Sequence, residues 1–429
     1  MLLPCFTEKE KCVILYKRKE VIGMELNIAA RVPTYVRAVM QTLERAGRRG
    51  YLVGGSLRDL LLQKTPHDFD LTTDATPDEM IEIFSDFRVI PTGLKHGTLT
   101  VVSEGQPVEV TTHRVDGEYM DSRRPESVSF TRRLADDLSR RDFTVNAMAW
   151  SEETGLVDLF GGQEDLTRGV IRAVGDPAAR FTEDALRILR AFRFSAQLDF
   201  EIEESTLSAA RETRAGLTRI SAERIFSEIT RLLTSTAAVR GLEALFAAQC
   251  EKQVFFDTVP CLNGVQALET LPADAALRLA FLLREHTADA AEKLCRRLRA
   301  SNAFTAQVTG VLKAFGAPLP DTPYAARRFV STFWQSWKGA LSLRGAMGEN
   351  MEETYSLCKR VANNGTALSI RGLAVSGKEL QDAVGVRPAQ TGKLLERLQA
   401  LWWEEPSRNK KSVLLMLASE LCEKEKGFL

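Results

Sequence analysis

Every strand-like pattern in this 429-residue chain falls ahead of Leu159, and helical periodicity runs almost unbroken from Phe181 onward. Segregation of that kind predicts an α+β head followed by an all-helical remainder, because an α/β fold would interleave the two throughout. Within the head, the spacing of apolar residues from Tyr35 to Ala46 predicts an amphipathic helix that Gly47 ends. Gly50-Tyr51-Leu52-Val53 reads as a short buried strand running into Gly54-Gly55, and SLRDLLLQ as a helix capped by Ser56. Phe69 to Thr72 reads as a strand, and the segments 99–102 and 108–111 as a hairpin around Glu104-Gly105-Gln106. Long amphipathic helices are expected near 183–197, 221–234, 271–285 and 291–300.

A chain of this length is expected to hold two to four domains. The pattern divides it into a loose extension over 1–23, a head over 24–168, and three helical segments over 169–236, 237–330 and 331–429. The extension is expected to precede a native start at Met24, because its charges break any signal-peptide core. Lys plus Arg and Asp plus Glu both number 57, so any nucleic-acid partner has to be held by local basic clusters. Seven dispersed cysteines without a Cys-x-x-Cys pair argue against a disulfide framework or zinc knot and suit the reducing cytoplasm. No apolar run reaches the ~18 residues of a membrane span.

The chemistry concentrates in Gly54-Gly55-Ser56-Leu57-Arg58-Asp59 followed by Asp68-Phe69-Asp70-Leu71. On a strand, Asp68 and Asp70 would share one face. Two carboxylates so close repel, and Mg2+ relieves the repulsion by binding them together with substrate phosphates. Glycines at a strand-to-helix turn let backbone N–H groups approach a triphosphate. Either element alone is commonplace, since Asp-x-Asp often caps a loop; the combination at this spacing carries the weight.

That combination resembles the nucleotidyltransferase superfamily, whose head is polymerase β-like with a five-stranded sheet. The resemblance implies a third carboxylate on a neighbouring strand, for which Glu109 is the candidate. With Leu60-Leu61-Leu62 and Leu71-Thr72-Thr73, the segment is similar to class II CCA-adding enzymes and bacterial poly(A) polymerases. Arg140-Arg141-Asp142-Phe143-Thr144-Val145-Asn146 resembles that family's second motif, which implies that Arg141, Asp142 and Asn146 hold ribose and phosphates. Gly55, Ser56 and Arg58 are expected beside the nucleotide as well.

Phe181-Thr182-Glu183-Asp184-Ala185-Leu186-Arg187 and Arg190 resemble the family's amino-acid template. Asp184 and Arg187, three apart on an expected helix, would share a face. A carboxylate accepts from an exocyclic amino group while a guanidinium donates to a ring acceptor, which suits cytosine and adenine and disfavours uracil and guanine. Ordinary helix capping by Thr182, with acids in the first turn, explains Glu183 well and Asp184 in part, but neither arginine.

The segment from Arg114 to Pro125 resembles the family's flexible loop, implicated in switching from C to A addition, and Pro91–Thr98 looks like the CCA-type version of its strand. Of the chain's four histidines only His286 lies in the helical half, and Thr287 follows it, so no His-Asp phosphohydrolase domain is expected. Near the end, Ser376-Gly377-Lys378 and Gln390-Thr391-Gly392-Lys393 resemble tail elements of the shorter bacterial members. Helix openings of this kind can offer N–H groups to phosphate, so Lys378, Lys393, Arg408, Lys410 and Lys411 are candidate RNA contacts; helix caps and a solvated charge run explain them equally well. The resemblance as a whole implies a two-metal enzyme that uses CTP, ATP and tRNA, with no membrane and no protein partner. An A-adding enzyme, a poly(A) polymerase and an RNA-binding pseudoenzyme remain the alternatives.

Overall fold

The computed structural model describes residues 28–116, 128–363 and 368–425. The extension expected over 1–23 lies outside them, as does the loop expected at 114–125 beyond Asp116. By its internal contacts the chain forms two units, Met1–Val254 and Phe255–Leu429.

In the first unit, helix α1 (Thr34–Arg45) leads into strand β1 (Gly50–Val53), helix α2 (Gly54–Leu61) and strand β2 (Asp70–Thr73). Helix α3 (Pro77–Ile83), opened by a capping box between Thr76 and Glu79, precedes β3 (Arg88–Gly93), β4 (Thr98–Ser103) and β5 (Gln106–Thr112). Strands β6 (Arg114–Asp116) and β7 (Val128–Phe130) pair with each other; then come α4 (Leu134–Ser139), β8 (Met148–Ser151) and β9 (Gly155–Asp158). The β4–β5 hairpin turns on Glu104 and Gly105, both at positive φ (50° and 76°), the requirement of a type I′ turn.

The sheet has seven strands in the order β3-β4-β5-β2-β1-β8-β9, two more than expected. The additions are its edges. β3 contains Pro91 and a register shift, and β9 is only half-buried, so neither shows the alternation of a central strand. Only β2 and β5 run parallel, which sets Asp70 directly beside Glu109. Leu52, Leu71, Leu99, Val101, Val108 and Val110 line one face against Val36, Val39, Met40 and Leu43 of α1. Because β5 alternates, Val108 and Val110 are buried while Glu109 between them is exposed.

Strand structure also continues past Leu159: β10 (Val170–Ile171) and β11 (Glu201–Ile202) form a two-residue parallel pair too short to show periodicity. Around them the helices are α5 (Gly162–Arg168), α6 (Pro177–Glu183), α7 (Leu186–Leu198), α8 (Glu204–Thr213), α9 (Ala222–Leu233) and α10 (Ala238–Ala247). The second unit is helical among its described residues, with one apolar cluster around Phe329, Trp337 and Leu341 and another around Leu380, Leu398, Trp402 and Leu414. No helix among the described residues is long and apolar enough to cross a membrane.

Candidate active site

The site forms where β1 hands over to α2. Gly54 sits at φ +70°, and a Cβ there would lie 3.3 Å from Nη1 of Arg141 and 3.8 Å from a carboxylate oxygen of Asp70. The left-handed backbone conformation is what favours glycine here. The helix starts at Gly54, so Ser56 is inside its first turn and not its cap. The Ser56 hydroxyl donates to Val53 O (2.9 Å) and accepts from Asp70 N (3.4 Å), tying α2 to the start of β2.

Asp68 is not on the strand as expected; it lies in a bend two residues before β2 begins. It still faces the same cleft as Asp70. Burial, then the charges of Asp68 and Glu109, push the Asp70 carboxyl up to about 6, with Arg141 pulling the other way. An acidic group so short of counter-charge is what a divalent cation relieves. No group of three or more His, Cys, Asp or Glu side chains gathers into a closed metal cage among the described residues. Two carboxylates, Asp68 and Asp70, on one cleft fit a divalent cation that takes its other ligands from substrate and water.

The cleft has a volume of about 880 Å³ and a wall dominated by arginine. Asp142 organises part of it. Its Oδ1 accepts from Phe143 N (2.9 Å) and Asn146 Nδ2 (3.3 Å), and its Oδ2 from Arg190 Nε (2.7 Å). Burial opposes its charge, but Arg190, Asn146 and Arg187 together hold the carboxyl down at about 2. Asn146 Oδ1 in turn accepts from Arg58 Nη1 (2.8 Å), and Arg58 also donates to Asp59. Arg58, Asp142, Asn146 and Arg190 thus form one hydrogen-bonded chain.

The segment read as one helix near 183–197 is two. α6 ends at Glu183, Asp184 is extended (φ −138°, ψ 101°), and α7 begins at Leu186. Thr182 lies inside α6, its hydroxyl on Ala178 O, so it caps nothing. The unbroken apolar spacing hid this break. Asp184 Oδ1 accepts from Leu186 N and Oδ2 from Arg224 Nη2, each at 3.0 Å. Arg187 is held by Glu183 Oε2 (2.7 Å) and by Arg140 O (2.9 Å). Asp184 and Arg187 both line the cleft.

Sequence reasoning missed Asp137, Arg193, Phe194, Arg224 and Glu228. The Phe194 ring carries the guanidinium groups of Arg58, Arg190 and Arg193 at 5.4, 5.3 and 4.1 Å from its centroid. Arg193 Nε donates to the buried Glu228 carboxylate at 2.6 Å. The Arg58–Phe194 and Arg193–Glu228 pairs span tens of residues and leave no local signal. Asp137 did leave one, three and four residues ahead of Arg140 and Arg141.

The tail elements differ from expectation. The Ser376 side chain accepts from Glu379 N and the Glu379 side chain from Ser376 N, a closed capping box that takes up two of the N–H groups at this helix opening. Gln390 to Lys393 lie within the helix Pro388–Glu404 and do not open one. Arg408 is paired with Glu404 and Glu405, whereas Lys378, Lys393 and Lys410 are exposed.

Comparison with known proteins agrees with this geometry. The family model described as "Poly A polymerase head domain" matches residues 50–172, and that described as "Probable RNA and SrmB- binding site of polymerase A" matches 199–259. The CCA-adding enzyme of Pediococcus pentosaceus is 34% identical over 393 residues, covering 90% of this chain and 97% of the relative. The chain belongs to the CCA-adding enzyme family. A second CCA-adding enzyme, from Lactobacillus helveticus, is 41% identical over 293 residues, covering 66% of this chain and 72% of its own. The crystal structure of the Bacillus stearothermophilus CCA-adding enzyme in complex with CTP superposes with a TM-score of 0.77 at 27% identity, over 92% of this chain and 98% of that one. The chain is thus a nucleotidyltransferase, of a family that needs a divalent metal.

Proposed function

We propose that the chain builds and repairs the 3′-terminal CCA of tRNA from CTP and ATP without a nucleic-acid template. The observation that carries this reading is one cleft joining the Asp68–Asp70 carboxylates to the Asp184–Arg187 pair through a wall of arginine. The CCA-adding relatives, one of them bound to CTP, support it. The tRNA 3′ hydroxyl attacks the α-phosphate, a new P–O bond forms, and pyrophosphate leaves.

Asp68 and Asp70 would hold Mg2+, with Glu109 reinforcing their charge from β5. The bound ions would supply positive charge at the attacking and leaving oxygens. Arg141 faces the phosphates and stabilises charge that develops there. Gly55, Ser56 and Arg58 form the turn against which the triphosphate lies, and Asn146 and Asp142 take the ribose hydroxyls. At the far end Asp184 accepts the exocyclic amino group and Arg187 donates to the ring nitrogen beside it, with Arg190 steadying the wall. Cytosine and adenine share that edge, so no template is needed to exclude uracil and guanine. Exposed Lys378, Lys393 and Lys410 are the preferred RNA-backbone contacts of the tail, with Arg408 freed only by exchanging its glutamates. A tRNA substrate places the work in the cytoplasm.

The test uses purified protein, Mg2+ and three tRNA transcripts ending before CCA, after C and after CC, with 3′ ends sequenced after incubation with CTP, ATP or both. Growth of all three to CCA followed by arrest is expected. Addition of a single A to the CC-ended transcript alone would make this an A-adding enzyme, and open-ended A tails a poly(A) polymerase.

A further inference from the structure

We propose that Asp137 is a positioning residue that locks phosphate-facing Arg141 and base-facing Arg187 to the strand bearing Asp70. The inference rests on the nucleotide roles assigned above. Asp137 itself never meets substrate, since its side chain is 0% exposed. A carboxylate so buried survives only if its oxygens are filled. Arg140 fills Oδ1 with Nε (3.0 Å) and Nη2 (2.6 Å), and Arg141 Nη2 reaches Oδ2 at 3.1 Å. The Thr72 hydroxyl lies 3.3 Å from Oδ2, and Thr72 stands on β2 two residues beyond Asp70.

Each contact leads to a different part of the cleft. Through Thr72, whose hydroxyl also lies 2.8 Å from His113 Nδ1 and 3.2 Å from Thr111 O, the carboxylate packs against the acidic strand. Through Arg141, it sets a guanidinium whose Nε is buried without a partner and whose Nη1 lies against the Gly54 turn. Through Arg140 it fixes a backbone whose carbonyl accepts from Arg187 Nη2 at 2.9 Å. One carboxylate therefore sets the spacing between the phosphate end and the base end of the nucleotide. Without it, Arg141 is free to swing toward Asp70, its electrostatic neighbour.

An ion pair that served only stability would predict none of this selectivity. The decisive variant is Asp137→Asn, read by equilibrium CTP affinity without RNA, by KM and kcat for CTP and ATP, and by UMP relative to CMP incorporation. CTP affinity is expected to fall about tenfold and KM to rise to match, with kcat changed less, on the scale of one charged hydrogen bond lost. UMP incorporation should rise several-fold relative to CMP. Adding Asp137→Asn to Arg141→Ala should worsen CTP affinity by no more than about twofold, the non-additivity of a shared network. Arg140→Lys, at a partly exposed position that keeps its charge, should shift affinity and selectivity in the same direction by a smaller factor. That variant carries the test if Asp137→Asn does not fold. Unchanged CTP affinity and selectivity in the folded variants, or multiplicative effects in the double variant, would overturn the proposal. Failure of wild-type protein to extend any tRNA would instead sink the CCA-adding reading, while the RNA-free affinities would still judge Asp137.

Discussion

The floor and the wall of the cleft use the same side chain in opposite ways. On the floor, Asp70 is crowded by Asp68 and Glu109, and its carboxyl is pushed up to about 6. On the wall, burial also opposes the charges of Asp137 and Asp142, yet their arginines hold both down at about 2. What separates them is the balance of local charge, since all three are largely withdrawn from water. A carboxylate left short of counter-charge is poised to receive a cation, and one matched by guanidinium charge stays ionised and holds its neighbours in place.

Replacing Asp70 should break this contrast most. Asp70→Asn is expected to lower nucleotide transfer by a factor on the order of 10³ or more, because a cation ligand is lost. In metal-free protein the same change should stabilise the fold. The folded carboxyl titrates near 6 against 3.8 unfolded, so the folded state is favoured at low pH and loses that advantage as pH rises through about 6. Asp70→Asn should therefore melt about 3 °C above wild type in chelator at alkaline pH and level with it at acidic pH. A lower melting temperature at both would mean that the floor carries no stored repulsion. On the wall, Asp142→Ala should act the other way, destabilising by about 2–3 kcal/mol because Arg190 and Asn146 are left without their acceptor. Denaturant titration measures it; a loss within experimental error would deny Asp142 its structural part.

The same contrast explains what could be read from sequence. The floor was legible because most of its parts are contiguous: the glycine turn and both aspartates fall within Gly54 to Asp70, whereas Glu109 was a candidate only because the family resemblance implies a third carboxylate. The base-reading end was legible only by resemblance, since FTEDALRILR keeps helical spacing across a break that tertiary contacts impose at Asp184. Arg224 and Glu228 join the wall through pairs 40 and 35 residues apart in sequence, beyond any local rule. Edge strands β3 and β9 were illegible for a different reason, since β9 is half-buried along its whole length and β3 is broken by Pro91 and a register shift, so neither keeps the alternation that marks a core strand. In the second unit, Ser376-Gly377-Lys378 was equally compatible with a phosphate contact and with a helix cap, and the structure forms the cap with Glu379.

The smallest effect lies beneath the floor, at His113. Its Nδ1 is 2.8 Å from the Thr72 hydroxyl and its ring is buried, which lowers its pKa to about 4 although Asp137 and Asp74 pull upward and Arg141 and Arg140 push down. Unfolded, it would take a proton near 6.5. Its contribution is therefore complete above 6.5 and is lost as pH falls toward about 4, reaching roughly 2 kcal/mol by about pH 5. Asp70 slopes the opposite way over much of that window, so wild-type stability alone should look deceptively flat. The difference between wild type and His113→Gln cancels Asp70 and isolates the histidine. It should shrink steadily as pH falls, measured by denaturant unfolding in chelator, whereas a constant difference would show that His113 is as accessible to protons folded as unfolded. Adding Asp70→Asn to both chains should then reveal the full acid loss in the wild-type His113 background, with floor and wall titrating separately.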